Sequence, residues 1–122
     1  SLVIADWLAA RSETGAIRHP VRNDHPDHAI FKRDFTGGCG LFAVEFPGWD
    51  VAKSERFLDA LEIFGLGFSW GGFESLAIHC DPQLKRTATA HRHEGALIRF
   101  SCGLEAHEDL IADLEKGFAA IS

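Results

Sequence analysis

The stretch Leu97-Ile98-Arg99-Phe100-Ser101-Cys102 decides the fold class. It is a strand by composition, fit for burial, and it sets a guanidinium in the middle of an apolar run. Upstream, Leu41-Phe42-Ala43-Val44-Glu45-Phe46 alternates, with Phe42, Val44 and Phe46 on one face and Leu41, Ala43 and Glu45 on the other. Gly37-Gly38-Cys39-Gly40 opens that strand, and Pro47-Gly48 turns the chain out of it. Ser75–His79 reads as a further strand, and Ala16-Ile17-Arg18 before His19-Pro20 as a short edge strand. Around these, apolar spacing predicts an N-terminal helix carrying Val3, Ile4, Trp7 and Leu8. A short helix is expected around Asp27–Arg33 with Asp27 as its cap, and another capped by Asp50 with Val51, Leu58 and Leu61 inward and Phe57 alongside. The last helix is the clearest, with a stripe of Leu110, Ile111, Leu114, Phe118 and Ile121. Glu108 and Asp109 begin it and Lys116 lies late, as the helix dipole prefers. Residues 65–74 are too glycine-rich for regular structure, and 81–95 form a polar loop with room for one helical turn. No period repeats. The order predicts an α+β fold, a small and mostly antiparallel sheet with helices packed on one face.

The 122 residues fit one domain and suffice for a core without disulfides or metals. An apolar content of 46% argues against intrinsic disorder. Twelve Lys plus Arg against 18 Asp plus Glu give a net charge of −6, which argues against a nucleic-acid surface. No apolar run approaches the ~18–20 residues that span a bilayer. Ser1-Leu2-Val3-Ile4-Ala5-Asp6 lacks the basic start and apolar core of a signal peptide. Cys39, Cys80 and Cys102 have no metal-type spacing and read as reduced, cytosolic thiols in small core positions. Ten Phe and three Trp, with no Tyr and no Met, exceed what one small core needs. Some of them are therefore expected to face another domain or protomer. The first helix has no convincing cap at Ser1, as expected of the end of a longer one.

Arg99 is the most informative single residue. A guanidinium in such a strand is costly unless its charge and five N–H donors find an anion. Two readings stand: an internal ion pair with one of the chain's carboxylates, or a fork kept for a ligand carboxylate or phosphate. Ser69-Trp70-Gly71-Gly72 is the second candidate, because paired glycines let backbone N–H groups approach a ligand and the indole adds a donor. The alternative is a plain chain reversal whose Trp plugs the core. His91-Arg92-His93-Glu94 lacks further ligands at metal spacing and reads as a solvated loop. His79 and Cys80, adjacent on a strand, point to opposite faces and form no nucleophilic pair.

Five ordered motifs add a resemblance. Arg33-Asp34-Phe35-Thr36-Gly37, Gly40-Leu41-Phe42, Ser69-Trp70-Gly71-Gly72-Phe73-Glu74-Ser75-Leu76, Leu97-Ile98-Arg99 with Gly103-Leu104-Glu105, and Asp109-Leu110-Ile111-Ala112-Asp113-Leu114 are all in place. Together they resemble the C-terminal domain of bacterial cystathionine β-lyases, within the pyridoxal-phosphate enzymes of Cys and Met metabolism. The resemblance covers nearly the whole chain. It implies that residues 1–122 are a substrate-side domain and that a large domain outside this chain binds pyridoxal 5'-phosphate and supplies the Schiff-base lysine. None of Lys32, Lys53, Lys85 and Lys116 sits in a context resembling the cofactor-lysine motif, so the segment is expected to be inactive alone.

Carried over residue by residue, the resemblance implies that Arg99 binds the substrate α-carboxylate. Ser69, through its backbone N–H, and Trp70, through its indole N–H, match helpers at the same group. Phe68 stands where well-known members have Tyr beside the substrate. The implied reaction cleaves cystathionine to homocysteine, pyruvate and ammonia. The implied partners are an amino-acid substrate, the chain's own large domain and the neighbouring subunits of a homotetramer, in the cytoplasm, with no nucleic acid or membrane. Two alternatives stay open: another sulfur-amino-acid enzyme of the family (a cystathionine γ-lyase, γ-synthase or cysteine desulfhydrase-like enzyme) and a stand-alone ligand-binding module.

Overall fold

A computed structural model describes residues 1–90 and 92–122. Five strands form one sheet: β1 (Ile17–Arg18), β2 (Leu41–Phe46), β3 (Gly65–Leu66), β4 (Leu76–His79) and β5 (Ala96–Ser101). Their spatial order is β1-β2-β5-β4-β3, antiparallel throughout except where β3 runs parallel to β4. The helices are α1 (Leu2–Ala9), α2 (His28–Asp34), α3 (Val51–Asp59) and α4 (His107–Ala119), with a single 3-10 turn over Asp81–Gln83. The expected α+β architecture is the one found. β3 is the element that the glycine content hid. A Cβ on Gly65 would stand 3.3 Å from Leu76 Cδ2, so here glycine permits close pairing rather than irregularity.

Phe42, Val44 and Phe46 of β2 join Ala96, Ile98 and Phe100 of β5 and Ala77 of β4 on the buried face. Ile4 and Leu8 of α1, Phe57 and Leu58 of α3, and Leu110, Leu114 and Phe118 of α4 cover that face, giving one contiguous core. Phe46, Trp49, Phe57 and Phe118 stack and tilt against one another at centroid separations of 4.3–6.1 Å. A Cβ on Gly117 would lie 2.7 Å from the Phe57 ring, so this glycine sets how closely α4 approaches α3. The opposite face of the sheet carries Arg99.

Several local expectations are corrected. Val3 and Val51 are exposed at 51% and 54%, while Ala5 and Ser54 are buried in their place. Ser54 is tolerated inside because its hydroxyl donates to the Asp50 carbonyl at 2.8 Å. Asp50 caps α3, its Oδ1 accepting the Lys53 N–H at 2.7 Å. Asp27 precedes α2 without capping it: its backbone is not in the extended region that a cap needs, and its side chain accepts no bond from the helix. Cys39 is exposed and Cys80 and Cys102 are half-buried, so none is a fully buried core residue; all three are free thiols.

Asp113 escaped the sequence reading. It is 1% exposed on the apolar side of α4, and its carboxylate accepts N–H bonds from Glu62 (2.8 Å), Ile63 (2.9 Å) and Phe64 (2.9 Å). Those amides lead from α3 into β3, so one carboxylate fixes the turn that sends the chain toward the site.

His19 is likewise buried, stacked on Phe42 with ring centroids 5.4 Å apart and within 3.1 Å of the Ser1 hydroxyl. Burial, with help from the Arg22 guanidinium, holds its pKa below the ordinary imidazole value of 6.5. Below that value the unfolded chain takes up a proton that the folded one resists. The His19 contribution to stability is therefore complete above pH 6.5 and is lost as pH falls from there toward the lowered folded value. A His19→Gln variant should show a flatter dependence of thermal midpoint on pH over that acid window; an unchanged slope would count against this assignment.

Candidate functional site

Arg99 lies mid-β5, opposite Ala43 of β2 and Ile78 of β4. The small Ala43 leaves room beside it, and the guanidinium leaves the sheet on the side opposite the one that α1, α3 and α4 cover. Its Nη2 donates to the Phe68 carbonyl at 2.8 Å and to the Ser69 carbonyl at 3.2 Å, with the Gly67 carbonyl at 3.4 Å. Among the described residues no carboxylate forms an ion pair with it. Its Nε and Nη1 make no hydrogen bond there and are not buried orphans, so they face solvent. The internal ion pair, one of the two readings of this residue, is therefore absent, and the fork is turned toward the glycine bend.

That bend is clasped by β5 and its continuation. Leu76 seats its start, since Cβ atoms on Gly65 and Gly67 would stand 3.3 and 3.4 Å from the Leu76 side chain. The Ser101 Oγ accepts the Gly71 N–H at 3.1 Å. Farther along, the Glu105 carboxylate accepts both the Ser75 N–H (3.1 Å) and its hydroxyl (2.7 Å), and the Ser75 Oγ accepts the Gly103 N–H at 2.9 Å. Partial burial pushes the Glu105 carboxyl up, but the Ser75 donors outweigh it and hold the pKa below the usual value. Leu104 N–H closes the clasp on the Phe73 carbonyl at 2.8 Å, where a Cβ on Gly103 would stand 2.1 Å from that oxygen.

The structure thus brings the Phe68 and Ser69 carbonyls to Arg99, with Trp70 next in the chain. Trp70 is 60% exposed, so it does not plug the core. Phe68, Phe73, Leu66 and Leu104, on the bend and the segments bonded to it, are exposed with it. One detail differs from a simple clamp. The 68–69 peptide is trans, so the unit that aims the Phe68 carbonyl at Arg99 points the Ser69 N–H away from it. Ser101, Ser75 and Glu105 were missed in the sequence. The first had a signal, lying two residues beyond Arg99 and so on its face of the strand; the other two are joined only by the tertiary fold.

The remaining candidates are organised differently. Asp81 accepts the Leu97 N–H at 2.8 Å, meets His79 Nε2 at 2.8 Å and bonds His93, closing the base of the 81–95 segment. Burial raises its pKa, but the Leu97 N–H and His93 more than offset this and hold it low. The His93 side chain is 11% exposed, which corrects the solvated-loop expectation for it; His91 lies outside the described residues. Burial pushes the Cys80 and Cys102 thiols up, so neither is a ready nucleophile. Among the described residues no group of three or more His, Cys, Asp or Glu is placed to hold a metal ion, and no helix is long and apolar enough to cross a membrane.

The family model for Cys/Met metabolism PLP-dependent enzymes matches residues 1–119. The chain belongs to this family. It is 42% identical to a cystathionine beta-lyase from Salmonella typhimurium, over 99% of this chain and 32% of that one. It is 32% identical to the human cystathionine gamma-lyase, over 98% of this chain and 30% of that one. The crystal structure of metB from Corynebacterium glutamicum superposes with a TM-score of 0.84 at 28% identity, over 99% of this chain and 32% of that one. The chain therefore spans about a third of the length of the relatives it matches.

Pyridoxal phosphate is the family's cofactor. The residues around Arg99 do not fit its attachment: Lys116 pairs with Glu62, Lys53 lies over the Trp49 ring, and no described lysine bonds the bend. What this chain presents beside the bend is a guanidinium held by backbone carbonyls and paired with no described carboxylate.

Proposed function

We propose that this chain is the substrate-side domain of a pyridoxal-phosphate-dependent cystathionine β-lyase, with the cofactor and its lysine held by the rest of the enzyme. The observation that carries the reading is the Arg99 guanidinium, paired with no carboxylate among the described residues and turned to the 67–71 bend. Two parallel N–H bonds from a guanidinium fix both the position and the rotation of a carboxylate. Fixing that rotation orients the substrate's Cα–H bond, so Arg99 acts by orientation and not by proton transfer. The chemistry of bond cleavage belongs to the cofactor.

The charged carboxylate is a stronger acceptor than the three carbonyls that Nη2 now serves. Its arrival competes with them for Nη2, and the 68–69 peptide, once freed, turns its N–H to join the Trp70 indole at the same group. Phe68, without a hydroxyl, lines the site as an apolar wall. The exposed rim of Leu66, Phe68, Trp70, Phe73 and Leu104 is then covered by the remainder of the enzyme and by neighbouring subunits.

Product analysis with the full-length enzyme and L-cystathionine tests the reading. Homocysteine and pyruvate are expected. Cysteine with a four-carbon oxo acid would place the enzyme with the γ-lyases, which the 32% identity to the human protein keeps as the second reading. Release of neither oxo acid would overturn both.

A further inference from the structure

We infer that Ser101 is a positioning residue for the carboxylate clamp, an inference that rests on the function proposed above. Ser101 is 1% exposed and follows Arg99 by two residues in β5. Side chains two apart on a strand leave it on the same face, so hydroxyl and guanidinium rise together toward the bend. Gly71, whose N–H the Ser101 Oγ accepts at 3.1 Å, has φ +79°, and no heavy atom stands within 4 Å of where its Cβ would be. Glycine is required there by the positive φ and not by a close approach at the Cβ position. Its freedom permits that conformation, and the bond to Ser101 selects it.

Arg99 is not a fixed anchor for the bend while it serves a ligand. Its Nη2, which a carboxylate fork would share with Nε or Nη1, holds the carbonyls of residues 67–69 in competition with that carboxylate. The Gly71–Ser101 bond is not part of the exchange, and neither are the Glu105 bonds that fix Ser75. Ser101 therefore marks the fixed point about which the 68–69 peptide turns. Trp70, immediately before Gly71, keeps its register to Arg99 through the same bond. Without it, ligand binding would have to order the bend as well as fill the fork.

The test uses the full-length, cofactor-loaded enzyme and two competitive ligands, L-alanine and L-alaninamide, which differ only at the carboxyl group. The ratio of their inhibition constants reads the clamp, whereas a general structural defect weakens both alike. Ser101→Ala is expected to lower the preference for alanine by about threefold or more, the scale of one lost neutral hydrogen bond. A smaller change overturns the inference. Should Ser101→Ala not fold, Gly71→Ala strains the same φ in open space and breaks the same bond from the surface. It is expected to lower the ratio to a like extent, and an unchanged ratio there also overturns the inference. A parent enzyme with no preference for alanine would overturn the clamp itself. A parent preference that survives in Ser101→Ala overturns only the role of Ser101.

Discussion

Replacing Arg99 by Leu in the full-length enzyme should lower kcat/KM for an amino-acid substrate by about 2–5 kcal/mol, the range for removing one partner of a desolvated charge pair. That corresponds to roughly thirtyfold to several thousandfold. The loss comes from the ligand side. No carboxylate of the described residues is left unpaired by the change, because none contacts the guanidinium. Folding should therefore survive, since the carbonyls of Phe68 and Ser69 belong to exposed residues and reach water when Nη2 is gone. Arg99→Lys keeps the charge but not the planar fork, and should recover only part of the loss. A decrease below tenfold in Arg99→Leu would remove this residue from the clamp.

The second large effect lies on the other side of the sheet. Asp113→Ala should destabilise the domain by about 3–5 kcal/mol, as breaking a buried, hydrogen-bonded charge does. Three backbone N–H groups, at residues 62, 63 and 64, lose their only recorded acceptor together, and Phe64 is itself buried. Amide hydrogen exchange at those three positions is the direct measurement. Their protection should collapse in Asp113→Ala and fall less in Asp113→Asn, which keeps one acceptor oxygen. Unchanged exchange at residues 62–64 would mean that the carboxylate does not hold the turn.

The two residues mark different degrees of legibility. Arg99 stood out because a cation between Ile98 and Phe100 breaks an otherwise apolar strand, a conflict visible within six residues. Asp113 broke the α4 stripe in the same way, yet one acid in a helix with several acids on its solvent side gives little contrast. Its meaning depends on amides some fifty residues away. Val51 shows the reverse error: its apolar side chain suggested burial, but the helix turns Ser54 inward, and only the Asp50 carbonyl waiting for that hydroxyl makes the choice favourable. The glycine bend was recognised as irregular, and its exposed Trp70 was weighed as a possible core plug. The clasp by Ser101, Glu105 and Leu104 that lifts Trp70 outward involves partners about thirty residues distant.

By itself the sequence determined the order of the elements apart from β3, the face of β2 and the stripe of α4 that build the core, and the one cation set where an apolar strand should be continuous. Periodicity and desolvation act over a few neighbouring residues, so these features are written locally. Only the tertiary structure decided what that cation meets, which serine steadies the bend, which way the 68–69 peptide points and which aromatics stay uncovered. Each of these depends on hydrogen-bonding groups brought together by the pairing of β4 with β5, and such pairing has no signature in the spacing of residues along the chain.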